Sequence, residues 1–498
     1  MNRATFLVRA GLGAALVAGA GSGAAAATAA PRSAARRPSL AALARVTQGR
    51  LITPGSAGYN SARQVVNARY SGARPLAVLQ ARSAQDVRQA VLWCQRYGVR
   101  ITARSGGHSY AGYSTLNGGL VVDLSSLDGI RVSADRRTVQ VGAGNRLVDV
   151  YTALANRGLT IPAGSCPTVG VGGLALGGGV GLASRALGTT SDNVVGLTVV
   201  TADGQVRTCD ARTNPDLYWA CRGGGGGNFG IATGFTFSTH RVSSASYFFA
   251  NFRWSDAEDV VAAWQRWAPN APPELFSICS LGTGAGAPVL NVFGQYMGSA
   301  AALRRTLARG LTNVVSPTSN EVGTQPYLQL MLRWAGCLGE SAAACRTPPR
   351  ELFAAKSRYA LKPISRPGIR AMISAIEQRQ AQSSQGSGAI LMDSYGGVIN
   401  EVPPGATAFV HRNALFSLQY GSYWESPSGA SAGLNWIRGA VRSTQPFVSG
   451  YSYQNYIDPE LATWQKAYYG TNLDRLIDVK SQVDPDDLFR FRQSIPVK

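Results

Sequence analysis

A chain of 498 residues exceeds the size at which a single hydrophobic core keeps growing, and 45% apolar residues suffice for two cores, so a two-domain globular protein is expected and a disordered one excluded. The formal charge of +21 would suit a polyanionic partner or an acidic cell envelope, but it comes from scattered arginine with only five lysines and no basic stripe interleaved with aromatics, which argues against nucleic acid. Three histidines, His108, His240 and His411, lie far apart in sequence and exclude a His-based zinc site.

Residues 1–30 carry Arg3 and Arg9, an apolar stretch and then small residues from Ala24 to Ala30, the pattern of an export signal removed from the mature protein. Asn2 to Leu7 resembles a twin-arginine signal in which Ala4 stands where the second arginine would be. A leader follows over 31–47. No later run of about 18 uncharged apolar residues occurs, so no mature membrane span is expected and the protein reads as secreted or extracytoplasmic. Seven cysteines leave at least one outside any disulfide, and Cys166 is the candidate. Cys337 and Cys345 have a spacing that closes a disulfide readily, Cys209 and Cys221 flank a turn and form a second candidate pair, and Cys94 falls in an apolar helical pattern.

Pro75 to Thr102 reads as strand, helix, strand, with Ser83 and Asp86 as a capping-box-like start and Val87, Ala90, Val91 and Cys94 at helical spacing. Short apolar runs from Gly118 to Gly142 suggest antiparallel strands, and Leu147 to Asn156 a short helix. Then come two glycine runs, within 163–196 and at 222–230, embedded in apolar, strand-like sequence that includes Leu217, Tyr218 and Trp219. Glycine in such surroundings lets backbone N–H groups approach a ligand such as a pyrophosphate, although the pattern does not separate NAD, FAD and nucleotide. From about His240 the chain turns to aromatic-rich strands and amphipathic segments, a second domain. The last segment, from Tyr451, ends without a polar tail and is expected to pack back on the body.

Two strings carry chemistry. Arg104-Ser105-Gly106-Gly107-His108-Ser109 places a histidine at the tip of a glycine turn, and Ala163-Gly164-Ser165-Cys166-Pro167 places a cysteine before a glycine run. With RSGGHSYAGYS (104–114), AGSCPTVGVGGLALGGGVG (163–181), DNVVG (192–196), NPDLYWACRGGGGGNFG (214–230) and the closing YQNYID, YYGTNLDRL, VKSQVDPDDLF and QSIP, the chain resembles the berberine-bridge-enzyme-like oxidases. These belong to the vanillyl-alcohol-oxidase (PCMH-type FAD-binding) superfamily.

The resemblance implies an α+β fold with a PCMH-type FAD-binding domain over 48–240 and an antiparallel-sheet substrate domain over 241–450. The segment 451–498 would return to complete the first. It implies FAD bonded through His108 at the 8α carbon and Cys166 at C6, with Arg104, Ser105, Gly106, Gly107, Ser109, Val169, Gly170, Gly172, Gly173, Asn193, Gly227, Phe229, Gly230, Ile231 and Asn455 around the cofactor. For the base it points to Tyr453 or Tyr456, a tyrosine whose pKa of about 10 must fall for the task. Gln419, Asp393 and Tyr395 are implied beside them, Gln419 where the plant alkaloid enzyme has a glutamate base and Asp393 to help ionise a tyrosine. Glutamine takes no proton, which favours alcohol oxidation over ring closure. Leu174 replaces a histidine common in relatives, Val483 replaces a tyrosine, and Val169 sits where a small side chain leaves room for O2. The implied reaction oxidises a sugar, an oligosaccharide or a secondary metabolite with O2, in a monomer, with Trp254, Trp334 and Trp424 available to stack on pyranose rings. A dehydrogenase using another acceptor and a catalytically silent flavin-binding protein are the rival readings.

Overall fold

The computed structural model describes residues 39–347 and 350–498. The export segment expected over 1–30 and residues 31–38 of the leader lie outside the described residues, while the rest of the leader carries the helix Leu40–Val46. Helix and sheet are mixed throughout, and the fold is α+β with antiparallel sheets.

The first part of the chain builds two sheets. Ala77–Gln80, Leu120–Asp123 and Ile101–Arg104 lie parallel, and Arg50–Ile52 adds an antiparallel edge. Leu120–Asp123 is therefore a parallel strand and not part of an antiparallel run. It is buried on both faces, so it lacks the alternation that marks a half-exposed strand. The helix between the parallel strands, Ala84–Tyr97, starts at Ser83, whose Oγ accepts from Asp86 N at 3.2 Å, and buries Val87, Ala90, Val91 and Cys94. The Asp86 carboxylate does not close a capping box; it accepts from Gln48 N and Arg82 N at 2.7 and 2.8 Å, tying the entering chain to the helix start. The second sheet is antiparallel, in the order Ile130–Val132, Thr138–Gly142, Ile231–Ser238, Val194–Val200, Val206–Cys209. Leu217 to Trp219 lie in the helix Pro215–Ala220 and not in a strand, with Pro215 in its first turn.

A seven-stranded antiparallel sheet follows, ordered Ser319–Pro326, Ser244–Phe252, Val289–Tyr296, Leu275–Gly282, Ser387–Ser394, Phe416–Trp424, Leu352–Ala360. Helices Ala257–Trp267, Arg366–Gln380 and Ala430–Thr444 back it, burying Trp264, Ile376 and Ile437 against Phe416, Met392 and Tyr420. The C-terminal segment packs back on the first half: Leu476, Val479, Phe489 and Ile495 share a core with Leu217 and Trp219. There Lys480 Nζ, fully buried, donates to Asp484 Oδ2 (2.5 Å), Asn228 O (3.0 Å) and Phe489 O (2.8 Å), so the buried charge is paired and its donors are used.

Cys337 and Cys345 form a disulfide with Cα atoms 6.2 Å apart. The second candidate pair is not bonded: Cys209 and Cys221 are buried thiols, as is Cys94, and burial pushes all three upward in pKa. Among the described residues no helix is long and apolar enough to cross a membrane.

Candidate flavin and substrate site

The two glycine-rich strings meet because neither has side chains in the way. A Cβ on Gly106 would overlap the backbone of Gly170, and one on Gly170 would overlap that of Gly106, so the turn carrying His108 and the loop carrying Cys166 lie back to back. Ser105 Oγ anchors the first string by donating to Ala143 O at 2.6 Å. His108 Nε2 then hydrogen-bonds Thr168 Oγ1 at 2.9 Å, and Cys166 Sγ contacts the same hydroxyl at 3.6 Å. One hydroxyl thus gathers the histidine and the cysteine onto one wall. Burial, with the Arg146 guanidinium adding to it, lowers His108 to about 4, so its imidazole is unprotonated at neutral pH. Cys166 is the half-buried member of the five cysteines outside the disulfide.

This wall bounds a cavity of about 580 Å³. Ser105, Gly106, Gly107, Ser109, Val169, Gly170, Gly172, Gly173, Gly227, Gly230 and Ile231 line it with His108 and Cys166, and Leu174 lines it too. The second glycine run is forced by tight packing: with φ of +123° and +90°, Gly223 and Gly225 lie where a Cβ would strike Phe409 and Gln454. Three buried polar atoms on the lining, Tyr113 Oη, Thr115 Oγ1 and Gln454 Oε1, have no hydrogen-bond partner among the described residues. A long cleft walled by glycine backbone, with orphaned polar atoms along it and Arg100, Arg490 and Arg492 on its lining, fits a dinucleotide with a pyrophosphate.

Tyr453, Asn455, Tyr456 and Gln419 reach the same cavity from the C-terminal segment and the seven-stranded sheet. Tyr453 Oη accepts from Gly179 N at 2.8 Å and from Asn455 Nδ2 at 3.1 Å, and burial pushes its pKa well up. Tyr456 is half-buried, stacked on Tyr110 with centroids 5.4 Å apart, and Gln419 Nε2 donates to Tyr110 Oη at 2.9 Å.

Five residues expected at the site lie outside this lining. Arg104 is held by Asp123 at 2.6 Å beneath the turn. Asn193 is consumed locally, donating to Leu187 O and Thr189 O and bonding His240 Nε2 at 2.6 Å. Phe229 is core. Tyr395 is buried against Tyr359, their hydroxyls 3.0 Å apart. Asp393 is buried on its strand, and its charge adds to the raised pKa of Tyr395, opposite to the ionising role expected of it. The three tryptophans proposed for sugar stacking are also elsewhere. Trp254 bonds Glu377, Trp334 bonds Gln295 in the core, and Trp424 is buried under Arg69.

Residues not singled out from sequence complete the site: Thr168, Arg146, Tyr110, Phe353, Tyr423, Gln454 and Glu351. Thr168 and Tyr110 stood inside the quoted motifs, two residues beyond Cys166 and His108 respectively. Glu351 and Tyr423 carried no local signal.

Residues 75–210 match the family described as FAD binding domain, and residues 452–496 the family described as berberine and berberine like. An uncharacterized FAD-linked oxidoreductase of Bacillus subtilis, YgaK, is 35% identical, covering 90% of this chain and 97% of its own length. The wild-type BBE-like 1 of Physcomitrella patens superposes with a TM-score of 0.83 at 34% identity, over 92% of this chain and 98% of that one. Phl p 4, a grass pollen allergen with glucose dehydrogenase activity, superposes with a TM-score of 0.82 at 28% identity, over 90% and 97% of the two chains.

Proposed function

The chain belongs to the berberine-bridge-enzyme-like FAD-linked oxidoreductases, and from that we propose that it is a secreted oxidase that holds FAD through both His108 and Cys166 and oxidises an alcohol with O2. The observation that carries the attachment is the shared Thr168 hydroxyl, which sets an unprotonated imidazole and a half-buried thiol on one wall of the cavity. An imidazole without its proton has the lone pair that a bond to carbon requires. FAD held there would supply the hydride-accepting chemistry for the carbinol carbon, and its reoxidation by O2 would give H2O2.

The protein supplies orientation and a base. Tyr456 is the better of the two tyrosines: Tyr453 already accepts two hydrogen bonds and is raised by burial, whereas Tyr456 fronts the cavity beside Tyr110. Gln419 acts through the bond it makes to Tyr110 and transfers no proton. Val169 on the lining supports O2 over another acceptor, since a small side chain there leaves room beside the ring. The division 48–240, 241–450 and 451–498 accords with the sheets, and the disulfide accords with export.

The test is acid precipitation followed by mapping of flavin-bearing peptides. Flavin on both the His108 and Cys166 peptides is expected, with His108→Ala leaving attachment at Cys166 alone and the double alanine variant releasing it. Colour wholly in the supernatant from fully loaded protein overturns the attachment. H2O2 release in air with an alcohol panel tests the oxidase reading; turnover with an artificial acceptor and no H2O2 would make the protein a dehydrogenase.

A further inference from the structure

Among the described residues that line the cavity one is acidic, Glu351. It precedes the edge strand Leu352–Ala360, and its backbone is pinned on both sides: Glu351 N donates to Val66 O at 3.3 Å and Ala68 N donates to Glu351 O at 2.8 Å. Asn67 Nδ2 adds a bond to Phe353 O at 3.2 Å. Phe353, two residues on and so on the same side of an extended chain, faces Tyr423 with centroids 5.7 Å apart and meets Tyr110 edge-on at 5.3 Å. The acid therefore stands beside an aromatic wall that leads through Tyr110 to Tyr456.

No described group donates a hydrogen bond to the Glu351 carboxylate, and no described Lys or Arg pairs with it. The neighbouring cations are engaged elsewhere. Arg350 Nη2 donates to Gln64 Oε1 at 2.7 Å and Ser71 Oγ at 2.6 Å, while Arg69 lies over Trp424. Burial raises the Glu351 carboxyl to about 7. A half-buried acceptor without a protein donor is unfavourable in the empty site and becomes favourable when a ligand brings the donors.

We infer that Glu351 is a substrate-binding residue, accepting hydrogen bonds from two adjacent hydroxyl groups of a polyhydroxylated substrate that lies against the wall of Tyr110, Phe353 and Tyr423. The inference rests on the reading of the cavity as an alcohol site. A carboxylate offers two acceptor oxygens side by side, which matches a pair of neighbouring hydroxyls, and aromatic faces accept the C–H-rich side of a sugar ring. A cation would also satisfy the carboxylate, but the net charge of +21 repels cations on approach and leaves a neutral polyol unaffected. Each hydrogen bond to a charged acceptor contributes about 1.5–3 kcal/mol, so each hydroxyl is expected to change affinity by roughly 10- to 100-fold.

The experiment measures binding of glucose, galactose and cellobiose to the flavin-loaded protein by anaerobic calorimetry, then repeats it with single-deoxy analogues of the tightest binder. Removal of either of two adjacent hydroxyls is expected to weaken binding at least tenfold in the wild type and less than threefold in Glu351→Gln. The variant should raise KM while leaving kcat at saturation nearly unchanged, and its affinity should lose the rise with pH through about 7 that the wild type shows. His108, near 4, does not titrate in that window. Deoxy penalties that are the same in both proteins, or no binding by any of the three sugars, overturn the inference. H2O2 release measured in parallel separates the two readings: sugar binding that depends on Glu351 without H2O2 removes the oxidase and keeps the residue's role. Turnover indifferent to the substitution does the reverse.

Discussion

The two ends of the cavity are built by opposite means. At the end proposed to hold the flavin the wall is backbone: Gly106 and Gly170 approach so closely that neither position has room for a Cβ, and His108 and Cys166 take their places from that approach. At the other end the wall is side chains, Tyr110, Phe353, Tyr423 and Gln419, presented by a turn and by the far edge of the seven-stranded sheet. A backbone wall does not tolerate substitution, because any added atom collides with the chain behind it. A side-chain wall changes its ligand when one residue changes.

Breaking the rigid end should have the largest effect. Gly170→Ala is expected to give protein that is poorly soluble or free of flavin, since overpacking at this contact costs about 1–3 kcal/mol or more and separates the two strings. The ratio of flavin to protein absorbance checks it, and full loading of the variant would mean that the wall yields. Next in size is the base. Tyr456→Phe should lower the rate of flavin reduction by about 10²- to 10⁴-fold, with Tyr453→Phe costing far less. Stopped-flow reduction under anaerobic conditions ranks the two, and the reverse order would move the base to Tyr453.

A smaller effect sharpens the electrostatics of the rigid end. Because the His108 imidazole is lowered to about 4, covalent incorporation of flavin into cofactor-free protein should be independent of pH from about 6 to 8 and fall only on approaching 4. A midpoint near the ordinary 6.5 would show that His108 is solvated during attachment. The smallest effect belongs to the adaptable end. The Glu351 carboxyl has a folded-state pKa raised above its unfolded value, so the stability that goes with its protonated form is full below the unfolded pKa and is lost as pH rises through about 7. Glu351→Gln should therefore raise Tm slightly at pH 8, and the gain should vanish near pH 4. An unchanged or lower Tm at pH 8 would indicate a donor to the carboxylate.

The difference between the two ends also explains which parts were legible beforehand. His108, Cys166 and the glycines around them lie within short contiguous strings, and a contiguous string is readable even though the contact between Gly106 and Gly170 that shapes both is made across the fold. The helix Ala84–Tyr97 announced itself for the same reason, through Ser83 and the spacing of Val87, Ala90, Val91 and Cys94. Leu120–Asp123 was legible as a strand but its parallel pairing was not, because a strand covered on both faces has no alternation that marks its setting. Asp393 and Tyr395 were placed near the reaction by resemblance alone; Asp393 is buried on the strand Ser387–Ser394, and Tyr395, just beyond that strand, is buried against Tyr359.

Sequence by itself determined the cofactor class and the α+β fold through the long motifs that carry the family resemblance, because a motif that must wrap one cofactor keeps its residues in a contiguous string. Tertiary structure alone decided that Thr168 gathers His108 and Cys166, that Gln419 reaches Tyr110 across 309 positions of chain, and that Glu351 is the acid among the described residues of the cavity lining. Those relations arise when a distant sheet edge closes over the glycine turns, and no local pattern records which side chains will then share one volume.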